Sequence, residues 1–198
     1  MGKRDRDTNR EHEADREKSY AGKAPREFQD AAVLVPVFRG AEGGLRLVIV
    51  RRTDHGVHGG QLAFPGGKRD ARDRSLRDTA IREAQEEIGV DRGHVEILAD
   101  LPVVETRTTG FRIHPFLAKI RPPARWTHQE REIAEVLEVR VAELASPAAR
   151  GESIGEFPNE PKSRRIAYYR VGPHRLWGAS YRIVTPLIPR LLSEEWEI

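Results

Sequence analysis

The chain has 198 residues, of which 38% are hydrophobic and 33% charged, and its formal net charge is +3. This length is typical of one domain with appendages, and the composition allows an adequate core beneath a heavily ionic surface. The sequence contains no cysteine, which excludes disulfides, thiolate zinc sites and cysteine nucleophiles. Any bound metal must therefore be held by oxygen or imidazole ligands.

Residues 1–30 form a charge-dense arm with almost no large apolar side chains. Its charges alternate in sign, as in Arg4-Asp5-Arg6-Asp7, which predicts disorder or a marginal charged helix. The arm lacks the apolar segment of a secretory signal, and no run in the chain approaches the ~18 apolar residues of a membrane span. We therefore expect a cytoplasmic protein with this arm followed by a single domain over residues 31–198.

The first ordered segments read as strands. The apolar, β-branched run from Ala31 to Phe38 predicts a core strand. A glycine-containing loop at Arg39–Gly44 predicts a hairpin to a second strand at Leu45–Arg52. A polar loop, Thr53–Gly59, then leads to a short strand at Gln61–Phe64.

A glycine turn and a helix follow. In Phe64-Pro65-Gly66-Gly67, proline fixes one φ angle and the glycines allow the backbone to approach a ligand closely. Either Asp73 or Ser75 can cap the start of the helix, and Gly89 suits a left-handed residue at its end.

This helix carries three acids on one side. Glu83, Glu86 and Glu87 are spaced i, i+3 and i+4, which places them together on a helical surface. Such like charges repel by a few tenths of a kcal/mol per pair, roughly, so a compensating cation is expected. Carboxylates favour Mg²⁺ or Mn²⁺. The alternative is a solvated acidic face that arginines such as Arg82 neutralise.

The rest of the chain predicts more strands, a loop and a last helix. Extended segments are expected at His94–Val104, Phe111–Ile120, Val136–Val139, Arg165–Val171 and around Leu176–Gly178, with Val141–Leu144 starting a turn or helix. Ser146–Ser163 is rich in Gly, Pro and Ser, which predicts a long surface loop. A terminal helix at Ala179–Leu192 should be shortened or kinked by Pro186 and Pro189. Strands on both sides of one helix, with another helix at the end, indicate an α+β fold or α/β/α sandwich.

The segment from Gly67 to Val90 resembles the Nudix box, G-x5-E-x7-R-E-U-x-E-E-x-G-U, where U is aliphatic. Gly67 opens the box and Arg82–Val90 closes it. Asp73 stands where the box has its early glutamate, and eight residues rather than seven separate it from Arg82. The resemblance to Nudix hydrolases implies a mixed curved sheet between helices and metal-dependent pyrophosphate hydrolysis.

Further stretches are similar to the coenzyme A pyrophosphatase branch of that family. His58–Gly67 resembles its H-x-G-Q-x-S/A-F-P-G-G run, and Thr109–Pro115, Glu132–Val136 and Leu176–Ala179 resemble stretches downstream. The longer branch signature, L-L-T-x-R-S/A-x3-R-x3-G-x3-F-P-G-G, fits less well over Leu47–Gly67. Arg51 and Gly60 match, whereas Ile49 replaces Thr, Arg52 replaces a small residue, and Gly56 replaces an arginine. The missing arginine weakens the prediction of coenzyme A against other nucleoside diphosphate derivatives.

The resemblance implies roles for particular residues. It makes Glu83, Glu86, Glu87 and the backbone carbonyl of Gly67 the Mg²⁺ or Mn²⁺ ligands, and makes Arg82 the group that orients a ligand carboxylate. The general base stays open between a glutamate of the box and a later acid, Glu105, Glu130 or Glu132, with Glu132 first because it directly precedes a strand. The expected substrate contacts are Arg51, more weakly Arg52, then His58, Gln61 and Phe64.

The sequence thus predicts a Nudix pyrophosphohydrolase that converts coenzyme A or an acyl-CoA to 3′,5′-ADP and 4′-phosphopantetheine or its acyl form. One alternative is a pyrophosphatase for ADP-ribose or for dinucleotides such as NADH and FAD. The other is a catalytically silent domain that binds a nucleotide or RNA as a regulator, which the intact glutamates argue against. No nucleic-acid surface is expected, because the arginines form no stripe with aromatic platforms. The oligomeric state, including a homodimer, stays open.

Overall fold

A computed structural model describes residues 28–54, 59–106, 109–155 and 163–198. Residues 1–27 of the predicted arm lie outside these ranges, as do His58 and Gly56.

The described residues form one large mixed sheet with eight strands, whose central path runs in the order β3-β2-β1-β7-β5. The strands are β1 (Gln29–Arg39), β2 (Leu45–Arg52), β3 (Leu62–Ala63), β4 (Gly66–Lys68), β5 (Val95–Asp100), β6 (Val104–Thr106), β7 (Phe111–Ile120) and β8 (Ile133–Arg140). Off this path, β4 pairs with β1, β6 with β7 and β8 with β2. The β1–β7 pair is parallel, from Gln29 opposite Phe111 to Val37 opposite Lys119, and the other pairs are antiparallel.

A smaller antiparallel sheet, in the order β11-β10-β9, follows in the second half of the chain. Its strands are β9 (Arg150–Gly155), β10 (Arg164–Val171) and β11 (His174–Trp177). The helices are α1 (Leu76–Ile88), α2 (Val141–Ala145) and α3 (Gly178–Leu192), with short 3-10 turns at Arg92–His94 and Pro147–Ala149.

Strand β1 is buried on both faces, which explains its nearly continuous apolar sequence. On one face Leu34 packs in a cluster that includes Ala84 and Ile88 of α1. On the other face Val35 belongs to a cluster that includes Leu187 of α3. The large sheet therefore lies between α1 and α3. This arrangement confirms the predicted α+β fold with a mixed curved sheet between helices.

Helix α1 begins and ends where its sequence signals predict. The Ser75 hydroxyl accepts a hydrogen bond from the backbone N–H of Asp78 at 3.1 Å, so Ser75 is the N-cap. Gly89 has φ of 69° and donates its backbone N–H to Gln85, which ends the helix in the left-handed conformation. Asp73, the other predicted cap, bonds elsewhere.

The predicted surface loop over Ser146–Ser163 is wrong in its first part, where β9 forms and pairs with β10. The hydrogen bonds that make this segment a strand come from β10, and the composition of the segment itself does not predict them. Gly151 of β9 also lets Tyr168 lie close, since a Cβ atom there would stand 2.5 Å from the Tyr168 ring. Residues 156–162 of the predicted loop lie outside the described ranges.

Of the two effects predicted for the prolines of α3, shortening does not occur. It runs from Gly178 to Leu192 through both Pro186 and Pro189. The residues around the prolines are buried in the core, among them Leu187 and Leu191, and this packing outweighs the backbone hydrogen bonds that proline removes. Within the described residues, none of the helices combines the length and apolar character needed to cross a membrane.

Candidate active site

The three glutamates of α1 differ strongly in their exposure. Glu87 is 2% exposed, whereas the side chains of Glu83 and Glu86 are 17% and 54% exposed. The acids therefore form a gradient along one side of the helix, from a buried carboxylate to one in solvent.

Glu87 is compensated only in part. One carboxylate oxygen accepts the backbone N–H of Gly66 at 2.9 Å, and the other lies 3.6 Å from the Arg52 guanidinium. Burial raises the pKa of Glu87 to about 7, although the Gly66 N–H and Arg52 act in the opposite direction. A buried carboxylate of this kind gains from a further positive charge.

Glu83 lies against the backbone of Gly67. A Cβ atom at position 67 would stand only 2.5 Å from the Glu83 carboxyl carbon, so Gly67 leaves the Glu83 carboxylate room to lie against the backbone. Gly67 holds its place by pairing with Ala32 across β4 and β1. Burial raises the pKa of Glu83, with Arg82 opposing the shift. The glycine turn and the acidic helix thus form one structural unit.

Arg82 connects the acids to the segment before the helix. Its guanidinium contacts Glu83 at 2.9 Å and Glu86 at 3.1 Å. Its other nitrogens donate to both carboxylate oxygens of Asp73, at 2.9 and 3.0 Å, and one also reaches the carbonyl of Lys68 at 3.4 Å. This fork of bonds fixes the direction from which the guanidinium meets the glutamates.

Asp73 is a residue whose importance the sequence analysis missed. It is buried and accepts hydrogen bonds from Arg82, from the Thr79 hydroxyl at 2.9 Å and from the backbone N–H of Asp70 at 2.9 Å. The hydrogen bonds from Arg82 hold its pKa well below the usual range of an aspartate. The sequence feature that could have indicated this role is the position of Asp73 in the Nudix box, where it replaces the early glutamate.

The donor set fits a hard divalent cation by its chemistry. Carboxylate oxygens are the ligands that Mg²⁺ and Mn²⁺ prefer. At Glu87 the effect of burial outweighs those of the Gly66 N–H and Arg52, so a bound cation would stabilise the carboxylate further. Among the described residues, however, no three His, Asp or Glu side chains converge into a ready-made cage. Arg82 lies between Glu83 and Glu86 instead, so a cation would have to share these carboxylates with the guanidinium or displace it.

The two predicted substrate arginines lie on opposite faces of β2. Val48 and Val50 belong to the cluster beneath α1, and Arg52 shares their parity and approaches Glu87. Arg51 has the other parity, and it contacts Asp54 at 3.2 Å and Glu135 at 3.7 Å. The structure therefore brings Arg52 to the acids of α1 and directs Arg51 away from them.

The three candidate general bases also separate. Glu132 lies 4.0 Å from Arg52, and its side chain is 49% exposed. Burial is the main cause of the raised pKa values of Glu83 and Glu87, and the negative charge of Glu132 makes a smaller contribution in the same direction. Glu105 lies on β6, where it pairs with Arg112, and Glu130 is exposed ahead of β8. Glu132 is thus the candidate that the structure sets near the α1 acids.

The remaining predicted contacts lie before the glycine turn. Phe64 is buried in the core cluster on the α3 side, so it supports the turn from below. The backbone carbonyl of Gln61 accepts the N–H of Arg52 at 3.0 Å, which ties the short strand β3 to the end of β2. His58 lies outside the described residues.

Residues 28–157 match the family model described as NUDIX domain. A relative described as "Uncharacterized Nudix hydrolase NudL", from Salmonella paratyphi B, is 36% identical over 154 residues, which span 77% of this chain and 72% of the relative.

Two solved structures show the same fold at low sequence identity. A MutT/nudix family protein from Enterococcus faecalis has a TM-score of 0.57 and 16% identity, covering 92% of this chain and 69% of its own. A MutT protein from Methanosarcina mazei Go1 has a TM-score of 0.55 and 17% identity, covering 88% of this chain and 100% of its own.

Proposed function

Since the chain belongs to the NUDIX family and is a Nudix hydrolase, we propose that it cleaves the pyrophosphate bond of a nucleoside diphosphate derivative, coenzyme A or an acyl-CoA first. In this reaction a water oxygen forms a bond to one phosphorus and the bond from that phosphorus to the bridging oxygen breaks. The proton of the water passes to a base. With coenzyme A the products are 3′,5′-ADP and 4′-phosphopantetheine.

One observation carries the proposal of a hydrolytic centre. Glu87 and Glu83 of α1 lie directly against Gly66 and Gly67, so carboxylates and open backbone meet at one place. Nudix hydrolases generally use divalent metal cations. We propose Mg²⁺ or Mn²⁺, held by Glu83, Glu86 and Glu87, with the Gly67 carbonyl as the resemblance implies. The ion would neutralise charge on the diphosphate and favour ionisation of the attacking water.

Arg82 and Asp73 position the acids. Two nitrogens of Arg82 donate to the two carboxylate oxygens of Asp73. The third nitrogen therefore meets Glu83 and Glu86 from a fixed direction. Asp73 thereby acts on the site through Arg82. The pair therefore fixes where the guanidinium meets the carboxylates of Glu83 and Glu86.

Glu132 is the proposed general base. It is half exposed, so water and substrate can reach it, and it lies on the same side as Glu87 with Arg52 near both. A carboxylate in this position can accept the proton of a water that approaches the diphosphate.

Coenzyme A is the first substrate because of where the similar stretches lie. Glu132–Val136 leads into and forms the start of β8, beside β2, and the run ending at Gly67 forms the turn against α1. The replacement of an arginine by Gly56 is the feature that favours the alternative, an ADP-ribose or dinucleotide substrate.

A substrate panel tests the proposal. The purified full chain is given Mn²⁺ and, in separate reactions, coenzyme A, NADH, FAD and ADP-ribose, and the products are separated by chromatography. We expect the highest kcat/KM with coenzyme A. If coenzyme A is the poorest of the four, the substrate is a dinucleotide or ADP-ribose. If none is hydrolysed but a nucleotide binds tightly, the domain is a regulator and the hydrolytic proposal fails.

A further inference from the structure

Arg52 lies between the buried and the exposed acid of the candidate site. Its guanidinium is 3.6 Å from Glu87 and 4.0 Å from Glu132. Both distances are those of ion pairs without a short hydrogen bond, and the side chain keeps about a third of its surface exposed. Arg52 is therefore close enough to share its charge with both acids and loose enough to be displaced.

The position of Arg52 follows from the strand that carries it. The backbone N–H of Arg52 donates to Gln61 at 3.0 Å, and Arg52 pairs with Ile133 after a shift of register between Arg51 and Arg52. The end of β2 is thus fixed by its pairing with β3 and β8. Residues of the same parity, Val48 and Val50, lie in the cluster beneath α1, and the Arg52 side chain on this face approaches Glu87.

We propose that Arg52 is an internal counter-charge that compensates Glu87 and Glu132 before a divalent cation binds, and that it competes with the cation for these carboxylates. This inference rests on the proposed function, since it concerns the metal affinity of that site. Arg52 acts through the acids and is a positioning residue.

Two effects of opposite sign follow from one charge. Without metal, Arg52 stabilises the fold because Glu87 is buried and, among the described residues, the Gly66 N–H is its other compensating contact. With metal, the guanidinium repels the cation at short range and weakens its binding. A unit charge about 5 Å away in a partly buried site changes the affinity for a cation by about tenfold or more.

The test compares Arg52→Ala with three other proteins: the wild type, Arg52→Lys and Arg51→Ala. Mn²⁺ is titrated into each metal-free full chain by calorimetry, without substrate and at one fixed pH above neutrality. We expect Arg52→Ala to bind Mn²⁺ about tenfold more tightly than the wild type, and Arg52→Lys, which keeps the charge, to bind like the wild type. Arg51→Ala is the matched control, because Arg51 is the adjacent arginine on the opposite face; it should also bind like the wild type.

Thermal unfolding gives a second measurement. Metal-free Arg52→Ala should melt at a lower temperature than the wild type, and saturating Mn²⁺ should reduce or remove the difference, because the cation then replaces the lost charge. If Arg52→Ala does not fold, Arg52→Gln, which is of similar length and uncharged, takes its place in both measurements.

The outcomes separate this inference from the proposed function. Unchanged or weaker Mn²⁺ binding by the uncharged variant overturns the role of Arg52, even if the wild type hydrolyses coenzyme A. Tighter binding by that variant supports the role, even if the substrate panel shows no turnover. A wild type that binds no Mn²⁺ overturns both.

Discussion

Asp73 and Arg82 are joined by two parallel hydrogen bonds, from Nε to Oδ1 at 2.9 Å and from Nη2 to Oδ2 at 3.0 Å. Asp73 lies ahead of α1 and Arg82 lies in its middle, so the pair connects the segment after the glycine turn to the acids on the helix. The connection ties the geometry of the candidate site to the stability of the fold.

Replacing Asp73 by asparagine should destabilise the protein by about 3 kcal/mol, because the partly buried Arg82 loses the charged partner that the buried Asp73 carboxylate provides. Urea unfolding at neutral pH measures this loss. The matched control is Asp100→Asn, which breaks the pair of Asp100 with Arg77 of the same helix. That pair is exposed on both sides, so its loss should have a far smaller effect. Equal losses in the two variants would contradict the central role of Asp73.

The same pair predicts a dependence of stability on pH. Hydrogen bonds from Arg82 lower the pKa of Asp73 in the folded state below its unfolded value. The stability from Asp73 is therefore fully present above the unfolded pKa, near ~4, and is lost as the pH falls through the folded pKa. The difference in unfolding free energy between the wild type and Asp73→Asn should shrink steadily as the pH is lowered below about 4. A difference that stays constant on acidification would show that folding does not lower the pKa of Asp73.

Glu86→Gln and Glu87→Gln should each lower kcat at least about a hundredfold while the protein still folds, because an amide removes charge but keeps the shape of the side chain. Turnover with Mn²⁺ and circular dichroism check the two parts of this prediction. Glu96→Gln, on the exposed side of β5, should keep the wild-type rate. If both α1 variants hydrolyse substrate at the wild-type rate, Glu86 and Glu87 are not metal ligands of the active site.

Gly67→Ala should separate activity from stability. The added methyl group would lie 2.5 Å from the Glu83 carboxyl, and the flexible side chain can move away at little cost to the fold. The displaced carboxylate should nevertheless lower kcat by about a hundredfold. In Gly44→Ala, the nearest contact of the new methyl group is an ordinary 3.8 Å to Glu42, and kcat should not change. Activity of Gly67→Ala at the wild-type level would argue that Glu83 can work from another position.

Glu132→Gln tests the general base. Removing the base should lower kcat by about a hundredfold or more, with a smaller effect on KM, since proton transfer occurs in the chemical step. Glu105→Gln and Glu130→Gln are the controls, because both were candidates by sequence position and neither is placed beside Arg52. A loss of activity in either control, with Glu132→Gln active, would move the base to that residue.

Local signals in the sequence predicted those elements whose causes are local. The bounds of β2 and β7 and the caps of α1 at Ser75 and Gly89 agree with the structure, because alternation and capping depend on neighbouring residues. Strand β9 was missed, since its pairing with β10 is a tertiary contact. Helix α3 continues through Pro186 because the core holds it.

The candidate site shows the same division. The spacing of the three glutamates was enough to predict that they lie together on one side of the helix, with Arg82 beside them. The difference between Arg51 and Arg52 was also available, because residues of one parity on β2 share a face, but choosing the face required knowing which side α1 covers. The partnership of Asp73 with Arg82 required three dimensions, because it spans a turn whose path the sequence does not specify.

The parallel pairing of β1 with β7 bears on how the chain folds. It joins Gln29 to Phe111, so the centre of the sheet closes a long stretch of chain that contains the whole of α1. Long-range pairing of this kind forms slowly, because loop-closure entropy is lost before the contacts are gained. Helix α1 has 13 residues, and an isolated helix of this length is only marginally stable in water. The three acids are therefore expected to take up their places only after Ile120, the last residue of β7, has been synthesised and the sheet beneath α1 can form.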